Sequence, residues 1–80
     1  MKINILAFGI AKDIVNNTAF ELEVADQTSV ADLKAQLCTI YPAFEQLRTL
    51  AIAVNTAYQT DDYIINANDE VVIIPPVRGG

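Results

Sequence analysis

Residues 2–8 place Ile3, Ile5 and Ala7 on one parity, and Asn4, Leu6 and Phe8 on the other. This is the pattern of a strand buried on one face whose second face turns from polar to apolar near its end. Gly9 breaks the run, and residues 10–15 are expected to form a helical turn or loop. Turn chemistry follows at Asn16-Asn17-Thr18. Phe20, Leu22 and Val24 then alternate with Glu21 and Glu23, the pattern of a half-buried strand. Two strands joined by a short connection predict a hairpin.

The period changes after Asp26-Gln27-Thr28. Ser29 with Asp32 three residues on is a capping-box variant, with Asp in place of the longer Glu. At about 100° per residue, Val30, Leu33, Leu37, Ile40 and Tyr41 fall within an arc of about 100°, which predicts a helix with one buried face. Pro42 ends it, because the residue before a proline is driven out of the helical region. Phe44, Leu47 and Leu50, spaced three apart, predict a short second helix over 43–50. Residues 51–55 read as a strand, and residues 56–60 as a turn with a short strand around Tyr58. Asp61-Asp62 opens a polar turn that Tyr63-Ile64-Ile65 packs down, and Asn66-Ala67-Asn68-Asp69 is a second turn. Glu70-Val71-Val72-Ile73-Ile74 is the last strand.

The fold class is therefore α+β: a mixed four- to five-stranded sheet with one main helix and one short helix. Strands apolar on both sides sit centrally or beneath a cover, which favours central places for the first and last strands. One main helix covers only one face. Leu6, Phe8, Val72 and Ile74 are expected to remain on the uncovered face as a partner-docking patch.

Composition narrows the functional classes. With 52% hydrophobic residues in 80, the chain can build a single core and is too rich in apolar residues for disorder. Its apolar runs are far shorter than a bilayer needs, and the polar residues near the start leave no room for a secretory leader. The expectation is a cytoplasmic protein with no membrane partner. Ten acidic against five basic residues give a net charge of −5, which disfavours nucleic acid and suits a basic protein partner. The single cysteine excludes an internal disulfide and a cysteine metal cluster. Cys38 falls about 80° from Val30 around the helix, which makes it a core-flanking residue. The absence of histidine removes the usual general base and the commonest zinc ligand, so no metal site is expected. Asp61, Asp62, Asp69 and Glu70 are read as solvated turn acids. Lys12 and Lys34 are read as surface charges, Lys34 with its stem along the apolar stripe.

Residues 1–74 thus make one domain, and residues 75–80 a flexible tail: Pro75, Pro76, Val77, Arg78, Gly79 and Gly80. Glycine contributes no side chain to a core, but its backbone can enter a tunnel that other residues would block. The α-carboxylate of Gly80 is the one reactive group at the tip.

The element order, the run Leu6-Ala7-Phe8-Gly9-Ile10-Ala11, the segment Ala53-Val54-Asn55 and the stretch from Asp69-Glu70-Val71 through Pro75-Pro76-Val77 to Gly79-Gly80 resemble the β-grasp sulfur carriers related to ubiquitin. Among these, the chain is similar to the small subunits of molybdopterin synthase, the MoaD family, over essentially its whole length. The resemblance implies that an E1-like enzyme adenylates the Gly80 carboxylate with ATP and that a sulfur-donor enzyme supplies the sulfur of a thiocarboxylate. The large subunit of molybdopterin synthase would then receive the tail, and Gly80 would deliver sulfur to a pyranopterin precursor. No cofactor is bound permanently, and the catalytic groups belong to the partner. Two siblings share the tail chemistry: the thiamin-pathway carriers (ThiS-like) and the ubiquitin-like modifiers conjugated through a terminal glycine. A plain β-grasp interaction module is the remaining alternative. Arg78 stands where small or hydroxyl residues are common in the family. Asn68 stands where glycine is common, and asparagine tolerates the left-handed turn expected there.

Overall fold

The computed structural model describes residues 1–46 and 50–74. The elements, in chain order, are β1 (Lys2–Ala7), α1 (Gly9–Val15), β2 (Ala19–Glu23), α2 (Val30–Ile40), a 3₁₀ turn (Pro42–Gln46), β3 (Ala51–Val54), β4 (Ala57–Tyr58) and β5 (Glu70–Ile74). The strands form one mixed sheet in the order β2-β1-β5-β3-β4. The first and last strands, β1 and β5, lie centrally and run parallel, with Ile5 opposite Val71 and Ala7 opposite Ile73. The other neighbouring strands pair antiparallel.

The buried parity is the predicted one. Ile3, Ile5 and Ala7 of β1, Val71 and Ile73 of β5, and Ile52 and Val54 of β3 meet Val30, Leu33 and Leu37 of α2 in a single core, closed by Phe44 and Ile65. Fully burying each large aliphatic side chain contributes about 1.5–3 kcal/mol, so this layer between sheet and helix is the main source of stability. Cys38 packs half-buried at its margin, as its place on the helix predicts.

Helix α2 starts where the capping residues require. Ser29 Oγ accepts from the Asp32 amide at 3.1 Å, and an Asp32 carboxylate oxygen accepts from the Ser29 amide at 3.3 Å. The remaining amides of the first turn are taken by the segment from another part of the chain: Val30 N–H donates to Tyr63 O, and Ala31 N–H to Asp61 O. All the orphan donors of this helix end are thus satisfied. Lys34 extends the same connection by pairing with Asp61 at 2.7 Å.

Some expectations are sharpened and others corrected. Residues 9–15 form an α-helix, closed by Asn16 in the left-handed conformation (φ 60°) with its amide bonded to Lys12 O. Asparagine suits that C-terminal position because it tolerates positive φ. Of the expected short second helix over 43–50, the described part is a 3₁₀ helix, Pro42–Gln46, that buries Phe44; residues 47–49 lie outside the described residues. Ile40, placed in the buried arc by periodicity, is 45% exposed. The helix ends beside it, and Tyr41 fills the neighbouring space in edge contacts with Phe20 and Phe44, at centroid distances of 6.3 and 6.0 Å. Asn68 is not at positive φ; the left-handed residues of this half are Asn55 (φ 52°) and Thr56 (φ 69°), which make the tight β3–β4 turn.

Asp69 departs most from expectation. It is 9% exposed rather than solvated. Its carboxylate accepts from Asn55 Nδ2 at 2.9 Å, from the Asn66 amide at 2.9 Å and from the Tyr63 hydroxyl at 3.1 Å. Asn55 completes the link by accepting from the Glu70 amide through its own Oδ1. This clasp ties the β3–β4 turn to the start of β5, and so fixes where the last strand enters the sheet. Burial pushes the Asp69 carboxyl up, but the hydrogen bonds from Asn66, Asn55 and Tyr63 outweigh it and hold the group below its ordinary value. The Tyr63 hydroxyl moves the other way, raised by desolvation and by the neighbouring Asp69.

Candidate functional site

Among the described residues the helix covers one face of the sheet and leaves the other open, and strand register decides which side chains line it. Leu6 is opposite Ala19 on β2 and Val72 on β5; Val72 is opposite Ala53 on β3; Ala53 is opposite Tyr58 on β4. Paired residues share a face, so Ala19, Leu6, Val72, Ala53 and Tyr58 form an unbroken apolar row across all five strands. Ile74, opposite Ala51, begins the next row toward the C-terminal end of β5. Phe8 follows β1 at the same end with extended backbone and is 53% exposed.

The structure thus brings together the four expected docking residues. Leu6, Val72 and Ile74 are half-buried by their neighbours on the open face, and Phe8 stands at its rim. Because β1 and β5 are parallel, both strands end on this side, and the chain continues from Ile74 beside Leu6 and Phe8. Tyr58, 70% exposed, and Ile10, 46% exposed, add apolar surface that periodicity alone did not assign. The signal for Tyr58 lies in the β3–β4 register, which is set by a two-residue turn rather than by any local alternation.

The other expected site residues, Pro75, Pro76, Val77, Arg78, Gly79 and Gly80, lie outside the described residues. The described residues contain no group of His, Cys, Asp and Glu side chains that could hold a metal ion. Nor does any helix among them reach the length and apolarity needed to cross a membrane.

A five-stranded mixed sheet with central parallel first and last strands, gripping one long helix, defines a ubiquitin-like β-grasp protein. The crystal structure of SAMP1 from Haloferax volcanii superposes with a TM-score of 0.82 at 19% identity, covering 100% of both chains. The fold also matches a chain in the complex of subunits 1 and 2 of molybdopterin-converting factor from Helicobacter pylori, at a TM-score of 0.67 and 23% identity over 100% of both chains. The chain belongs to the ThiS family, whose pattern matches residues 5–80. Among its relatives is the molybdopterin synthase sulfur carrier subunit of Chlamydomonas reinhardtii, 35% identical over 85 residues and covering 100% of both chains.

Proposed function

We propose that this protein is the sulfur-carrying subunit of a molybdopterin synthase and that Gly80 bears the sulfur. The observation that carries this reading is the end-to-end match to the Chlamydomonas carrier subunit, with the family pattern running through residue 80. An E1-like partner transfers AMP from ATP to the Gly80 carboxylate and releases pyrophosphate. Sulfur at the sulfide level, delivered by a sulfur-donor enzyme, then displaces AMP and leaves a thiocarboxylate. The carrier docks on the large synthase subunit, and the tail delivers sulfur to the pyranopterin precursor; two transfers complete the dithiolene. ATP is used by the activating partner, and the setting is cytoplasmic.

The fold suits this division of labour. Six residues, from Pro75 to Gly80, reach roughly 20 Å when extended. The two prolines fix φ and reduce the entropy lost on threading. Gly79 and Gly80 keep the tip slim, and a partner's pocket can shield the thiocarboxylate from water. The open apolar face around Leu6, Phe8, Val72 and Ile74 supplies the docking surface at the end of the sheet from which the tail departs.

Incubation with the activating enzyme, ATP and a sulfur donor tests the first step. Exchange of a terminal oxygen for sulfur adds about 16 Da to the intact mass. Transfer is tested by adding the large subunit and precursor: molybdopterin forms with the full chain and is lost when Gly80 is removed. A Gly80-deleted protein that still supports synthesis would overturn the assignment. A charged carrier that serves a thiazole-forming acceptor but not the synthase would place the chain on the thiamin branch.

A further inference from the structure

Next to the apolar row, on the same open face, lies a row of different chemistry. Asn4 is opposite Glu21 on β2 and Glu70 on β5, so the order across three strands is Glu21-Asn4-Glu70. All three are exposed. The two glutamate positions lie two strand spacings apart, about 10 Å along the sheet backbone, with Asn4 between them. Neither glutamate takes part in an ion pair among the described residues. Glu23, the next outward residue of β2, contrasts with them: the N-terminal ammonium pairs with it at 3.0 Å. Lys2, opposite Glu23 and two residues along β1 from Asn4, is the cation nearest in register.

A groove of about 330 Å³ lies where the two rows meet, lined by Asn4, Leu6, Ala19, Phe20 and Glu21. Leu6 and Ala19 offer apolar contact and Glu21 and Asn4 offer acceptors, while Phe20, opposite Ile5, turns its side chain to the helix-covered face. The complement of such a groove is a side chain with an apolar stem and a cationic, multi-donor head. Arginine fits better than lysine, because its planar guanidinium can serve a carboxylate and an amide oxygen at once.

We propose that the row Glu21-Asn4-Glu70 is a cation-recognising border of the docking face, and that its occupant is an arginine side chain of the protein that docks there. The arginine stem lies over Leu6 and Ala19, its guanidinium pairs with Glu21 and Asn4, and Glu70 adds to the attraction. The apolar row supplies contact area, and the acidic row sets the angle at which the partner approaches. The inference rests on the carrier reading, because the large synthase subunit is taken as that partner.

The test measures association of the full-length chain with the large subunit at several salt concentrations. The variant Glu21→Gln/Glu70→Gln is compared with Asp13→Asn/Glu45→Gln, which removes the same charge from exposed positions on α1 and the 3₁₀ turn. The first variant is expected to bind about threefold to tenfold more weakly at low salt, with a flatter salt dependence, while the control matches wild type. The reversal Glu21→Lys is expected to lose more and to recover part of the loss as salt rises. Equal binding by wild type and Glu21→Gln/Glu70→Gln overturns the acidic border while leaving the carrier reading intact. Equal losses in the control variant overturn it as well, since net charge alone would then account for them. If wild type does not bind the large subunit, the carrier reading falls and takes this inference with it.

Discussion

At the scale of single residues, two positions in the β3–β4 region carry opposite consequences. Thr56 is β-branched yet sits at φ 69°, where its Cβ crowds the backbone. Thr56→Gly is expected to stabilise the domain by about 1 kcal/mol, read as a higher midpoint in thermal unfolding. Asp69 is the reverse case, a side chain whose removal orphans several donors. Asp69→Ala is expected to cost about 1–3 kcal/mol in denaturant unfolding. The acid response follows from the same bonds. A carboxyl held below its unfolded value contributes stability that is present above pH about 4 and lost as pH falls through the folded value. Stability should therefore drop on acidification in the wild type and drop less steeply in Asp69→Asn. The burial of Asp69 was not legible in the sequence: the Asn66 amide is a local turn partner, but Asn55, which closes over the carboxylate, reaches it only through the tertiary fold. A turn composition shows where the chain reverses, not what closes over it.

At the scale of elements, local signals predicted what local interactions decide. The alternation in β1 and β2, the Ser29–Asp32 cap, and the stop at Pro42 all predicted the elements found. Ser29→Ala should cost about 1 kcal/mol, because the Asp32 amide then loses its acceptor, and the lowered unfolding midpoint reports it. Elements failed where competition is nonlocal. Phe44, Leu47 and Leu50 have helical spacing, and the part of that segment among the described residues is a 3₁₀ rather than an α-helix, with Phe44 buried. The segment at residues 61–65 has no regular structure of its own, but its carbonyls satisfy the first amides of α2. Parity of β5 did not fail: Val72 and Ile74 lie on the expected side, although what fixes them there is register against β1 and β3 rather than any local signal.

At the scale of the whole molecule, one face is core and the other is zoned into an apolar row and an acidic row. That arrangement separates folding from docking. Val72→Asp is expected to weaken association with the large subunit by about tenfold or more, because it places a charge in the middle of the apolar row. Circular dichroism should retain the native spectrum, since Val72 lies opposite the buried parity. The placement of β5 bears on docking in a mechanical sense. It is gripped on both flanks, by β1 in parallel and by β3 in the opposite direction. Force applied to the chain beyond Ile74 acts along the strand axis, across hydrogen bonds that run between strands. Both ladders are then loaded in shear and must slip together, whereas an edge strand could be peeled one bond at a time. On the carrier reading, a partner that draws on the chain beyond Ile74 pulls on a strand held along both flanks.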